Sequence, residues 1–361
     1  MIPWFTKRLL EWNKVANRRS MPWKGEKDPY KIWLSEIILQ QTRVEQGRSY
    51  YLKFIAAFPT IQDLANAPVK KIFKLWEGLG YYNRCRNLIE TAKKISRQFN
   101  GKFPSSYEEI IKLKGIGSYT AAAIASFAFD LPFAVVDGNV QRVLARYFGI
   151  STPIDTHSGK KFYQELARSL LDRKHPGIYN QAIMDFGAII CKPQQPLCNQ
   201  CNQSRHCEAW ENNWVGLLPV KEKSIQRKNR WFYYFIIENE KEEVFIRRRK
   251  EKDIWRNLYE FVLWETDHPI IPLEIPAAEF LRKALGKKKF IVTKMSNLYK
   301  QQLTHQTIQG IFLTIRLSGL FSGLKEYELV KKNKLKDYPF PKFINDHLKI
   351  HSASQKPLSG T

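Results

Sequence analysis

Four of the five cysteines in this 361-residue chain, Cys191, Cys198, Cys201 and Cys207, stand in one short stretch with the spacing C-x6-C-x2-C-x5-C. No other feature constrains the fold as strongly, because a loop carrying four thiols must close around whatever they bind. Four thiolates suit a tetrahedral zinc ion or a cubane iron-sulfur cluster equally well in ligand count. Structural zinc usually draws on two close-spaced pairs, whereas here only Cys198 and Cys201 form one, with Cys191 and Cys207 as flankers. An odd total does not fit a secreted disulfide framework. Cys85 is the spare thiol; it lies between Arg84 and Arg86 and reads as a buried side chain.

The loop sits in a strongly basic chain. Lys and Arg number 59 against 34 Asp and Glu, for a formal charge of +25. That balance favours a polyanionic partner: nucleic acid first, an anionic membrane surface as the alternative. No apolar run approaches the roughly 20 residues a membrane span needs. The start, Met1-Ile2-Pro3-Trp4-Phe5-Thr6-Lys7-Arg8, lacks a secretory pattern. A soluble, cytoplasmic protein is expected, nucleoid-associated if bacterial.

Length alone predicts two domains. Residues 1–210 carry helical periodicity with short loops. Within them Tyr30, Trp33, Leu34, Ile37 and Ile38 form one apolar helix face, with Glu36 and Gln40 on its edge. A helix is also expected from Tyr179 to Ile190. Residues 211–230 are polar and basic, contain Pro219, and read as a linker. From Trp231 the texture changes: Trp231–Ile237, a polar turn at Glu238–Lys241, then Val244–Ile246 predict a β-hairpin. Strands are expected at Leu258–Trp264 and Ile311–Leu317, with a helix from Pro276 to Leu285. Residues 231–348 are therefore an α+β domain, and 349–361 a disordered tail.

Two further motifs carry chemistry. Leu113-Lys114-Gly115-Ile116-Gly117-Ser118-Tyr119-Thr120-Ala121 sets a Gly-x-Gly turn before an Ala-rich helix, whose exposed N–H groups can hold a phosphate. This is a helix-hairpin-helix signature near 113–121. Downstream, Val135-Val136-Asp137-Gly138-Asn139-Val140 places a carboxylate at the end of an apolar segment, where burial can raise its pKa.

With Leu34-Ser35-Glu36-Ile37-Ile38-Leu39-Gln40-Gln41-Thr42, Gly78-Leu79-Gly80-Tyr81-Tyr82, the hairpin, the Asp137 segment and the four cysteines in this order, the first 207 or so residues resemble the helix-hairpin-helix base-excision DNA glycosylases, the superfamily related to endonuclease III. Within it they are similar to the MutY family of adenine-removing enzymes. The resemblance implies an all-α catalytic domain and a [4Fe-4S] cluster on the 191–207 loop. It also implies action on duplex DNA in which adenine is mispaired with 8-oxoguanine or guanine, and a monomer. Where the endonuclease III branch carries a lysine that attacks the sugar, this chain has Tyr119, so a monofunctional glycosylase is expected rather than a Schiff-base lyase.

The same resemblance distributes roles. Glu36 protonates adenine and handles the water, and Asp137 stabilises the cationic sugar or forms a transient covalent link, with support from Tyr119 and Asn139. Arg19, Trp23, Leu39 and Gln181 form the adenine pocket, and Gln41 and Tyr81 intercalate beside the partner base. Protonating a poor leaving group while a second carboxylate faces the oxocarbenium-like sugar is the chemistry glycosidases use. The C-terminal domain resembles MutT-like, Nudix-type domains but has no Nudix run of Gly, Arg-Glu and paired Glu, so pyrophosphatase activity is not expected. Its lesion-reading loop corresponds to Leu303-Thr304-His305, with Leu303 in place of the family's aromatic residue. A pyrimidine-lesion lyase is opposed by Tyr119 and the long second domain. A non-catalytic DNA-binding module is opposed by Glu36 and Asp137.

Overall fold

The computed structural model describes residues 3–222, 226–271, 273–318, 321 and 324–353. The chain divides into two compact units: residues 1–67 with 83–223, and residues 68–82 with 224–361.

The first unit is helical. Its elements are α1 (Trp4–Val15), α2 (Pro29–Leu39), α3 (Val44–Ala57) and α4 (Ile61–Asn66). After α5 (Val69–Trp76), which belongs to the other unit, come α6 (Tyr82–Gln98), α7 (Tyr107–Ile110), α8 (Ser118–Phe129), α9 (Gly138–Tyr147), α10 (His157–Leu170), α11 (Pro176–Ile189) and α12 (Glu208–Glu211). The start of α2 is set by Asp28, whose side chain accepts from the Tyr30 N–H, and by Pro29 in the first turn. Ile32, Ser35 and Glu36 are buried along with Tyr30, Trp33, Leu34, Ile37 and Ile38. Glu36 is therefore inside the protein, not on the edge of an apolar face. The reason is α8: its run Thr120 to Ser126 is wholly buried and rich in alanine, so a second helix packs closely against α2. A main core joins Phe5, Leu9 and Trp12 of α1 to Leu144, Tyr163 and Phe186, and Cys191, Cys201 and Cys207 pack at its margin.

The second unit holds one sheet of eight strands among the described residues: β1 (Lys228–Glu238), β2 (Glu243–Arg248), β3 (Tyr259–Glu260), β4 (Val262–Thr266), β5 (Phe290–Met295), β6 (Tyr299–Gln302), β7 (Gln306–Leu317) and β8 (Glu328–Lys331). The turn after β1 is where the sequence puts it, closed by Asn239 Oδ1 accepting from the Lys241 and Glu243 N–H groups. The pairing differs from a simple hairpin. β1 lies parallel to β7 from Lys228↔Gln306 to Glu238↔Arg316 and antiparallel to β4, and meets β2 only at Glu238↔Val244. Its near-continuous burial from Phe232 to Glu238 suits a central strand better than a two-stranded ribbon. Leu258–Trp264 is split into β3 and β4, and β7 begins five residues before Ile311. The helix α13 spans Glu274–Leu285 and packs Ala277, Leu281 and Leu285 on Tyr233, Phe235, Leu313 and Ile315.

β1 begins inside the expected linker, at Lys228. A last helix, α14 (Lys342–Ala353), carries regular backbone into the start of the expected disordered tail; residues 354–361 lie outside the described ones. No helix among the described residues is long and apolar enough to cross a membrane.

Candidate active site

A cavity of about 840 Å³ opens in the helical unit. Glu36, Leu39 and Gln41 line it from α2 and its exit, Tyr119 from α8, Asp137 and Asn139 from the start of α9, Gln181 from α11, and Arg19 and Trp23 from the α1–α2 connection. These nine are residues the sequence reading singles out, drawn together from five parts of the chain.

Glu36 is 6 % exposed. Burial pushes its carboxyl up to about 7; a hydrogen bond with the Tyr119 hydroxyl works against this, and the charge of Asp137 adds to it. Tyr119 is itself held well above the usual phenol range by burial and by the two carboxylates. Asp137 caps α9: Oδ1 accepts from the Val140 N–H at 2.8 Å and Oδ2 from Asn139 Nδ2 at 2.7 Å. Burial raises its pKa, while those two donors favour the ionised form. The site thus holds one carboxyl that keeps a proton near neutrality and another that accepts hydrogen bonds, the asymmetry acid-base chemistry requires.

The remaining lining follows from local packing. Trp23 meets Tyr51 edge to face at 5.3 Å. Leu39 keeps its place because Gly47 has no Cβ, which would stand 2.7 Å from Leu39 Cδ2. Gln41 lies in the left-handed region, φ 57°, just after the end of α2. The buried Arg84 fixes that end by donating to the carbonyls of Ile37, Ile38 and Gln40.

Other candidates stand outside the cavity. Gly115 has φ +78° and sits against Asn87, where a Cβ would come within 2.6 Å; Gly117 caps α8 with open space before it. The first-turn N–H groups of α8 receive no side-chain cap. In the second unit, Tyr81 (φ 47°) and Thr304 meet through their hydroxyls at 2.7 Å, and Lys228 N donates to the His305 carbonyl at 3.0 Å. Leu303 N donates to Gln306 O at 2.7 Å, closing the loop before β7.

The four cysteines are free thiols, each partly buried. Burial raises Cys198, Cys201 and Cys207, Cys201 to about 12, and the other thiolates add to each shift. Such mutual repulsion is what a bound cationic centre removes. Two buried arginines of α9 tie the loop down. Arg142 donates to Cys191 O at 2.8 Å and to Asn139 Oδ1 at 2.9 Å; Arg146 donates to Lys192 O at 2.8 Å and lies 3.5 Å from Cys191 Sγ. Among the described residues, no group of three or more His, Cys, Asp or Glu side chains is arranged so that it could hold a metal ion.

Residues 34–170 match the family of HhH-GPD superfamily base excision DNA repair proteins, and residues 233–349 match the NUDIX domain family. The adenine DNA glycosylase of Buchnera aphidicola subsp. Baizongia pistaciae (strain Bp) is 38 % identical over 321 residues, covering 88 % of each chain. The chain belongs to the adenine DNA glycosylases. The human relative is 41 % identical over 215 residues, 57 % of this chain and 39 % of that one. Among solved structures, a thermostable thymine-DNA glycosylase matches 58 % of this chain and 95 % of its own with a TM-score of 0.54 at 33 % identity. An endonuclease III–DNA complex shares the fold over 58 % of this chain and 95 % of its own, with a TM-score of 0.50 at 20 % identity.

This glycosylase is accordingly a base excision repair hydrolase of N-glycosyl bonds. Some of its site could not be read in advance. Lys24, which lines the cavity, and Asp185, which pairs with Lys24 and Arg19, have no local motif. The four-residue step from Gln181 to Asp185 on a helix is the one signal that could have joined Asp185 to the pocket.

Proposed function

We propose that this glycosylase removes adenine mispaired with 8-oxoguanine or guanine from duplex DNA, acting as a monomer, with Glu36 as general acid and Asp137 as the carboxylate facing the developing sugar cation. The observation that carries the reading is Glu36: buried, hydrogen-bonded to Tyr119, and protonated up to about pH 7 in a cavity that also holds Asp137. A flipped adenine enters this cavity against Trp23 and Leu39, with Arg19 and Gln181 on its polar edges. Glu36 delivers its proton to a ring nitrogen, the base departs with the electrons of the C1′–N9 bond, and Asp137 stabilises the oxocarbenium ion left behind. Tyr119 and Asn139 keep the two carboxyl groups oriented. Water completes the hydrolysis; no amine is needed, in keeping with Tyr119 where a lyase has lysine.

Outside the cavity, Gln41 fills the space the base leaves and Tyr81 enters beside the partner base. Gly115 and Gly117 bring the α8 N-terminus to a phosphate, while Leu303, Thr304 and His305 read the opposing 8-oxoguanine. The Tyr81–Thr304 hydroxyl pair supports treating these last residues as one reading surface.

The residues around Cys191, Cys198, Cys201 and Cys207 fit a [4Fe-4S] cluster. Four thiols on one loop, close enough for the other thiolates to raise the pKa of Cys198, Cys201 and Cys207, supply the ligand count a cubane cluster takes. Cys191, Cys198, Cys201 and Cys207 would hold the cluster, which would crosslink the loop that carries Lys192 and Arg205. Iron and acid-labile sulfide in the purified protein are the expected finding; stoichiometric zinc instead overturns this part.

The test of the whole is single-turnover base release from duplexes carrying adenine opposite 8-oxoguanine, adenine opposite guanine, and an oxidised pyrimidine. Adenine opposite 8-oxoguanine should be released fastest and the pyrimidine not at all. Glu36→Gln should bind the first duplex as wild type does and release base ~10³-fold more slowly. Equal turnover by Glu36→Gln removes the assigned acid.

A further inference from the structure

The catalytic chemistry leaves unused a fully buried carboxylate beneath the same cavity. Asp185 of α11 has no exposed side-chain surface, and four donors converge on it. Oδ1 accepts from Arg19 Nη1 at 2.9 Å and Gln181 Nε2 at 3.0 Å; Oδ2 accepts from Lys24 Nζ and Asn17 Nδ2, both at 2.9 Å. Arg19, Lys24 and Gln181 all line the cavity, whereas Asp185 does not.

We propose that Asp185 is a positioning residue that locks the Gln181 amide with its oxygen toward the bound base, so that the pocket selects 6-amino purines over 6-oxo purines. The proposal rests on the reading that the cavity takes adenine.

The argument is one of donor and acceptor inventory. A glutamine amide presents an oxygen on one side and an NH2 group on the other, and rotation by 180° exchanges them without changing shape. A carboxylate only accepts, so it can bond Gln181 solely through Nε2. That leaves Oε1 for the cavity, and among the described residues no protein group donates to it. Adenine offers its 6-amino hydrogens to such an acceptor. Hypoxanthine offers a carbonyl oxygen, and two buried acceptors facing each other leave both unsatisfied. The ion pairs with Arg19 and Lys24 explain why this position carries a charge and not merely a polar group. They also place the two cations beside the amide, so one side chain organises the whole polar wall.

Asparagine at position 185 is isosteric but has an NH2 group of its own. It can donate to Gln181 Oε1 and let the amide reverse. The experiment is single-turnover release of adenine and of hypoxanthine from duplexes identical except for that base, with wild type, Asp185→Asn and Gln181→Leu. The adenine-to-hypoxanthine rate ratio should fall at least ~10-fold in each variant, and combining the two should lower it no further. A purely structural role would slow both bases in proportion and leave the ratio unchanged. Where Asp185→Asn does not fold, adding Lys24→Met removes the stranded ammonium and restores the measurement. A wild-type ratio in folded Asp185→Asn, or in Gln181→Leu, overturns the proposal while adenine preference stands. Wild-type protein that releases hypoxanthine as fast as adenine overturns the pocket reading beneath it.

Discussion

Glu36 and Glu260 are buried carboxyl groups, one in each unit, and their surroundings are opposite. Glu260, with no exposed side-chain surface, lies between Arg247 at 2.9 Å and Arg249, which in turn reaches Asp253 at 3.1 Å. Nearby, Arg230 bridges Asp253 and Glu265 at 2.6 Å each. Burial raises the pKa of both glutamates, but at Glu260 Arg249 and Arg247 oppose it, whereas at Glu36 the opposing group is the Tyr119 hydroxyl and Asp137 adds to the rise, so the carboxyl holds its proton to about pH 7. A buried charge matched by its opposite serves the architecture, whereas a buried acid with no matching cation is set up to move a proton. The helical unit uses both arrangements around one cavity: Asp185, beneath it, is ion-paired with Arg19 and Lys24, whereas Glu36 and Asp137, which line it, are held by hydrogen bonds.

This contrast predicts that the two units respond to carboxylate removal in different observables. The largest effect belongs to Asp137→Asn, expected to slow single-turnover adenine release ~10³-fold or more while duplex binding and melting temperature stay near wild type. Glu260→Gln measured beside it should leave the release rate within about threefold, since lost pairing is a matter of folding. A Glu260 variant that folds normally yet releases base slowly would break the division.

Next in size is stability. Glu260→Ala strands Arg247 and Arg249 in the interior, and removing one partner of a buried ion network costs about 3–5 kcal/mol. Thermal unfolding followed by the near-ultraviolet signal of the second unit's aromatic residues should shift accordingly. Glu36→Gln should act in the reverse direction. Its folded-state pKa lies above the ordinary carboxyl value of 4.5, so the native state binds more protons than the unfolded chain and wild-type stability falls as pH rises between about 4.5 and 7. Above that window the charged carboxylate is fully desolvated, and glutamine should stabilise the protein by up to about 3 kcal/mol; below pH 4.5 the gain vanishes. The same titration predicts that kcat/KM for adenine release declines as pH rises past about 7. A flat difference between Glu36→Gln and wild type from pH 4 to 8 would mean the proton sits elsewhere.

What was legible in the sequence follows the same physical line. Asp137 and Glu36 were readable because each lies in a contiguous motif: the cap of α9 is made by Asp137 and Val140, three residues apart, and Glu36 stands in a helix whose N-cap, Asp28, is local. The degree of burial of Glu36 was not readable, because it depends on α8, some eighty residues away, whose small side chains let the helices approach. Asp185 was missed for the same reason; three of its four donors lie more than 160 residues upstream. The parallel pairing of β1 with β7 and the grouping of 68–82 with the second unit also join segments far apart. Within that unit Lys74 Nζ donates to Tyr338 O at 3.1 Å, and Phe340 N donates to Glu77 Oε1 at 2.9 Å. Neither partner carries a motif that announces the other.

That grouping supplies the smallest prediction. Tyr81 precedes α6 in sequence but bonds its hydroxyl to Thr304, in the loop before β7. Both groups are exposed, so the bond adds little to folding, about 0.5–1.5 kcal/mol at most. Under the proposed function, its use is to hold Tyr81 in register with the loop assigned to reading the partner base. Tyr81→Phe keeps the ring and loses only the hydroxyl. Release of adenine opposite guanine should then stay near wild type, while the advantage of 8-oxoguanine as partner drops by a few-fold, up to ~10-fold. Thr304→Val should produce the same drop, and the two changes together should produce no more than either alone, because they remove one bond from opposite ends. Fully additive losses would show that Tyr81 and Thr304 meet the DNA separately, and the second unit would then read its lesion without the 68–82 segment.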